Sequence, residues 1–192
     1  MPRITPTAIG AVTVLALIAG PVLYALHTAD DMRNFRVVRH GVLYRSGQMT
    51  VPGLRRAVHD HGIKTVVSLR DGRTRADQAE EAFCNQEEIR FHRLPPLSWD
   101  GEQSHAPVAE NVRQFVAIVS DPKNYPILVH CFGGVHRAGA YTAIYRMERE
   151  HWSNAEAIAE VKACGYDTLD WEFDVLGYLE RYRPGQEQGE RQ

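Results

Sequence analysis

The sequence predicts an α/β fold: a central, mostly parallel sheet of about four to five strands flanked by helices. Three observations predict it. Short apolar runs, above all Ile63-Lys64-Thr65-Val66-Val67-Ser68-Leu69 and Tyr125-Pro126-Ile127-Leu128-Val129-His130, read as buried strands. Longer segments with helical periodicity alternate with these runs, which is the pattern of a parallel sheet. A glycine-bearing segment, Cys131 to Arg137, joins the last strand to a helix. In such sheets the sites lie at the carboxyl ends of strands, where Cys131 falls.

The elements follow in order. Phe35-Arg36-Val37-Val38, a turn at His40-Gly41 and Val42-Leu43-Tyr44-Arg45 read as a hairpin. Thr50 is an N-cap for a helix through about His61, with Pro52 in its first turn and Gly62 ending it. Residues 75–87 read as a charged surface helix and Ile89 to Leu94 as a strand. The prolines and glycine of Leu94-Pro95-Pro96-Leu97-Ser98-Trp99-Asp100-Gly101 make a loop. A helix is expected from His105 to Ser120, stopped by Asp121-Pro122. Further helices are expected at Ala138 to Glu150, Asn154 to Ala163 and Leu169 to Tyr182, with Trp152, Trp171 and Phe173 packed between the last two.

Composition bounds the function. With 44% hydrophobic and 24% charged residues, the body of the chain is ordinary globular protein. A net charge of −2 gives no basic field for nucleic acid. Three cysteines without a C-x-x-C pair make neither a disulfide framework nor a zinc site. The N-terminus differs: Ala8 to Leu26 is uncharged and about as long as a membrane-spanning helix requires. The expected organisation is a membrane anchor or signal peptide over 1–29, a linker over 30–36, a catalytic domain over 37–183 and a disordered tail over 184–192. A single-pass membrane location follows, with a lean toward a cytoplasmic domain from Arg33, Arg36 and Arg39.

The chemistry concentrates in His130-Cys131-Phe132-Gly133-Gly134-Val135-His136-Arg137. Glycines let successive backbone N–H groups turn inward and form an anion nest, and the following helix adds positive potential. A cysteine at the start of such a loop is held as thiolate. Arg137, six residues later, offers a planar fork that matches two phosphoryl oxygens. Nucleophile, oxyanion cradle and cation are the parts of covalent phosphoryl transfer.

This segment resembles the H-C-x-x-G-x-x-R signature of the protein tyrosine phosphatase superfamily, with Gly134 in place. Leu43-Tyr44-Arg45-Ser46-Gly47-Gln48, the Ile63–Arg70 strand and the Gly-Val-His-Arg ending of the loop are most similar to its compact dual-specificity-like branch, with fungal, plant and bacterial members. The resemblance implies a metal-independent phosphomonoesterase, without cofactor, working through a phosphocysteine on Cys131, with Arg137 as phosphate clamp. It implies that Phe132, Gly133, Gly134, Val135, His136 and Ala138 line the substrate and that His130 supports the loop. It also implies a general acid on a loop roughly thirty residues before the cysteine. Asp100, 31 residues before Cys131, is the candidate, with Glu102 in reserve.

One residue departs from that pattern. Where relatives carry Ser or Thr after the arginine, this chain has Ala138, which predicts a slower breakdown of the phospho-enzyme. The loop side chains are uncharged apart from His136, which argues against highly phosphorylated inositols. The expected substrate is a phosphorylated protein or small phosphomonoester. Alternatives are an inositol phosphate or pyrophosphate phosphatase, an anchored phosphate-binding pseudo-phosphatase, and a sulfurtransferase. Arg70 is expected on a solvated turn, Cys84 is a candidate redox partner for Cys131, and Cys164 is expected in the core.

Overall fold

The computed structural model describes residues 32–185, together with Leu15 and residues 17–21. Its strands are β1 (Arg36–Arg39), β2 (Leu43–Ser46), β3 (Thr65–Ser68), β4 (Arg90–Arg93) and β5 (Ile127–His130). Between and after them run α1 (Val51–His61), α2 (Arg75–Gln86), α3 (Ala109–Ser120), α4 (His136–Glu150), α5 (Asn154–Ala163) and α6 (Phe173–Arg181), with short 3-10 turns at Pro122–Asn124 and Leu169–Trp171. The five strands lie in the order β1-β2-β5-β3-β4. All neighbours are parallel except the edge pair β1–β2. This is the expected α/β architecture.

Local chemistry sets the element boundaries. Thr50 Oγ1 accepts from Gly53 N–H at 3.1 Å to start α1, and Gly62 ends it in the left-handed region at φ 65°. Thr74 with Asp77, and Ser153 with Glu156, form reciprocal capping boxes that start α2 and α5. β5 is buried along its whole length because both faces of the sheet are covered. Alternation sends Leu128, with Tyr44 and Val66, toward Leu54, Ala57 and Phe83 of α1 and α2. Ile127 and Val129, with Leu43 and Val67, face the core built by α3 to α6.

Three expectations are corrected. Only Leu15 and residues 17–21 of the Ala8–Leu26 stretch are described, as helix; the remainder lies outside the described residues. Among the described residues no helix is long and apolar enough to cross a membrane, which overturns the single-pass membrane location and the membrane partner inferred from it. The helix expected from His105 starts at Ala109, because residues before it form turns in which Ala106 N–H reaches Glu102 O and Val108 N–H reaches Ser98 O. Trp171 and Phe173 are 77% and 74% exposed rather than packed between helices, since the chain there breaks into a 3-10 turn before α6. The expected disordered tail is described only at Pro184 and Gly185, and its remainder lies outside the described residues.

Candidate active site

Cys131 follows β5 directly and is 3% exposed. Gly134 N–H donates to Cys131 Sγ at 3.2 Å, so the loop does turn an amide onto the sulfur. Gly134 has φ 76°, and a Cβ there would stand 2.3 Å from Gly47 N and 2.4 Å from Ser46 C. Only glycine fits, because the loop lies directly on the backbone at the end of β2. Outer carbonyls are tied down: Gln48 N–H donates to Phe132 O and Asn34 Nδ2 to Gly133 O, both at 3.0 Å. With those oxygens engaged from outside, amides of the loop are free to serve an anion. α4 starts at His136 with no side-chain cap on its first turn, which leaves its N-terminal potential available.

Arg137 sits in that first turn, half-buried, and its Nη1 donates to Leu69 O just past β3. It lines a narrow cleft with Leu97, Trp99, Val108 and Tyr141. Trp99 is buried edge-on against Tyr141 and Tyr178, with ring centroids 5.6 and 5.1 Å away, and Asn111 Nδ2 pins Pro95 O at 2.6 Å. The loop that carries Asp100 is therefore anchored to α3, α4 and α6 immediately beside the candidate acid. Asp100 is exposed, and among the described residues its carboxylate makes no hydrogen bond or ion pair. Glu102, the reserve, is exposed too.

Beneath and around the loop lie both residues singled out in the sequence and four, Glu80, Asp77, Arg33 and Asn34, that it did not mark as part of the site. His130 is buried, with Nε2 2.9 Å from Glu80 of α2, itself buried. Arg70 leaves the expected solvated turn: its guanidinium pairs with buried Asp77, whose carboxylate also accepts from Gln48 Nε2 at 2.8 Å and Thr74 Oγ1 at 2.8 Å. Burial raises the Asp77 pKa, but these hydrogen bonds outweigh it and hold the carboxyl well below its ordinary value. Exposed Phe132 lies under two cations, with Arg33 4.4 Å and Arg70 5.4 Å from its ring centroid. Arg33 and Asn34 come from the segment read as a linker. The ring of His136 stacks on Tyr166 at 4.4 Å, and Ala138 is fully buried. Cys84 is buried, and desolvation with Glu80 and Glu81 pushes its thiol up to about 12, which makes it a poor redox partner. Cys164 is half-exposed rather than in the core. The capping pattern Thr74-x-x-Asp77 was a signal available in sequence; nothing local marked Arg33 or Glu80.

A cysteine loop at the carboxyl end of the central strand, with an arginine in the following helical turn, defines a class: the dual-specificity-like part of the protein tyrosine phosphatase superfamily. The model of the family described as DSP-PTPase phosphatase fused to NAD+ kinase matches residues 22–172, and the chain belongs to that family. It is 30% identical over 113 residues to the tyrosine-protein phosphatase-like protein OCA2 of Saccharomyces cerevisiae, covering 59% of this chain and 55% of that protein. It is 31% identical over 119 residues to the inositol diphosphatase DSP1 of Oryza sativa subsp. japonica, covering 59% of this chain and 49% of that protein. The chain thus spans about half the length of these relatives. The core catalytic domain of the PP-IP phosphatase SIW14 from S. cerevisiae shares its fold, with a TM-score of 0.64 at 22% identity over 82% of this chain and 90% of that one.

Proposed function

We propose that this chain is a cysteine-dependent phosphomonoesterase of the phosphotyrosine or dual-specificity type. One observation carries the reading: the Gly134 amide on Cys131 Sγ at 3.2 Å, in a loop that ends at Arg137 in the first turn of α4. In this reading Cys131 Sγ attacks phosphorus, and the loop amides with Arg137 hold the equatorial oxygens. Asp100 protonates the leaving oxygen and then takes a proton from the water that attacks the phosphocysteine. Phe132 to His136 line the substrate, Ala138 lies buried behind them rather than against it, and His130 supports the loop from below. Residues 37–183, with Arg33 and Asn34 added, form the catalytic unit.

The test is hydrolysis of p-nitrophenyl phosphate. Cys131→Ser is expected to abolish turnover, while Asp100→Ala is expected to lower kcat by about 10²–10⁴-fold at unchanged fold, the range for losing a general acid. A Cys131→Ser protein with full activity would exclude the mechanism.

A second reading, an inositol phosphate or pyrophosphate substrate, is supported by Arg33 and Arg70 over Phe132. Arg33 supplies positive charge to a loop whose own side chains carry little, while the charge of Arg70 is offset by Asp77.

A further inference from the structure

Asn111 is a polar residue in an apolar place. It is the third residue of α3 and 6% exposed, among Val108, Val112 and Phe115 of the core. A side-chain amide in a helix gives up helix propensity, and a buried one costs free energy unless it is hydrogen-bonded. Its partners come from two other parts of the chain. Asn111 Nδ2 donates to Pro95 O at 2.6 Å, and the Tyr141 hydroxyl hydrogen-bonds the same side chain. Burial raises the Tyr141 pKa above its ordinary value, which keeps that hydroxyl protonated.

Both partners bear on the site. Pro95 stands at the start of the segment that carries Asp100. Tyr141 lies one helical turn after Arg137 on α4 and lines the same cleft. Its ring holds Trp99, the neighbour of Asp100, edge-on at 5.6 Å, and rests in turn on Phe115 of α3 at 5.0 Å. Further along, main-chain bonds fasten the segment: Val108 N–H donates to Ser98 O at 3.0 Å and Ala106 N–H to Glu102 O at 2.7 Å. Asp100 sits between those two points, and its own N–H donates to Ser98 Oγ at 3.2 Å. Asn111 thus joins the base of the acid loop, the ring against Trp99 and the helix that carries Arg137.

We infer that Asn111 is a positioning residue for the general acid: by tying Pro95 O to the Tyr141 hydroxyl, it sets where Asp100 stands relative to Arg137 and the leaving oxygen. The step concerned is the first. Cys131 Sγ forms a bond to phosphorus, the phosphorus–oxygen bond breaks with its electron pair left on oxygen, and the Asp100 proton passes to that oxygen. A shift of about 1 Å in a group that must meet a reacting atom can cost about 10²-fold. The cost falls on substrates whose leaving oxygen needs the proton most. This inference rests on the proposed phosphatase function.

Steady-state kinetics on two aryl phosphates test it: p-nitrophenyl phosphate, with a weakly basic leaving oxygen, and phenyl phosphate, with a strongly basic one. Turnover that Cys131→Ser abolishes establishes the phosphatase reading, and a loss in Asp100→Ala that is larger for phenyl phosphate establishes its acid. Failure of the first defeats that reading, failure of the second defeats its acid, and either takes this inference with it. Given both, Asn111→Leu, which fills a similar volume without the amide, is expected to lower kcat/KM about tenfold for phenyl phosphate and less than about threefold for p-nitrophenyl phosphate. In the Asp100→Ala background the same substitution is expected to change either value by less than about twofold, because the group it positions is gone. Should Asn111→Leu fail to fold, Asn111→Ala carries the same expectations. An equal loss for the two substrates marks a purely structural role and overturns the proposal. An unchanged kcat/KM for phenyl phosphate, or a loss that persists in full without Asp100, overturns it as well.

Discussion

Adjacent glycines in the loop have opposite demands. Gly134 adopts φ 76° and has backbone atoms of Ser46 and Gly47 where a side chain would go. Gly133 does not adopt a positive φ, and nothing lies within 4 Å of its would-be Cβ. Gly134→Ala is therefore expected to cost about 3 kcal/mol or more, from strain added to a clash with backbone that cannot yield. Gly133→Ala is expected to stay within about 0.5 kcal/mol of wild type. Thermal or urea denaturation of the two variants checks the contrast; equal losses would show that the loop is not seated on β2 as described. At this scale the sequence was informative where spacing encodes chemistry: Cys131, Gly134 and Arg137 are legible because a phosphate cradle requires those types at those intervals. Asn111 and Glu80 were not. Each is a polar residue whose burial depends on partners far away in sequence, and local pattern carries no trace of that.

Asp77 shows how one residue joins elements. Its carboxylate caps the start of α2, pairs with Arg70 after β3 and accepts from Gln48 after β2. Three connections at the carboxyl edge of the sheet converge on it. Because its folded-state pKa is depressed, the unfolded chain binds the proton more readily. The stabilisation is fully present above the ordinary carboxylate range, about pH 4, and is lost as pH falls below it. Asp77→Asn is expected to cost about 2–4 kcal/mol near neutral pH and to flatten the acid limb of the stability curve. Urea unfolding between pH 3 and 7 measures both; an unchanged acid limb would refute the assignment. Helix starts were legible wherever a capping residue wrote them, as at Thr50, Thr74 and Ser153. The start of α3 was not, because the turns before it are set by Trp99 docking between Tyr141 and Tyr178, a tertiary contact. The exposed Trp171 and Phe173 misled for a related reason: helical periodicity was read across a break that only the 3-10 turn reveals.

For the whole molecule, strand order decides what the loop can recruit. β5 lies between β2 and β3, so segments leaving both neighbours reach the loop: Gln48 from one side, Leu69 and Arg70 from the other. The alternation of strands and helices made the parallel sheet legible, but not which strands would flank the central one, since that depends on packing among helices distant in sequence. The same topology brings Arg33 from ahead of β1 to meet Arg70 on opposite approaches to Phe132. That placement has a kinetic meaning. Arg70 is already paired with Asp77, so the charge that reaches outward is that of Arg33. A cation at the mouth of a site draws anionic molecules in before any contact forms, and mobile ions weaken the pull once the screening length falls to about 10 Å, near 0.1 M salt. For the proposed enzyme, kcat/KM should fall with added salt more steeply for a substrate bearing several phosphates than for one bearing a single phosphate, and Arg33→Gln should bring the two slopes together. Parallel slopes in the unaltered protein would mean that Arg33 does no steering. The number of charges on the natural substrate is thus encoded in how the reaction responds to ionic strength.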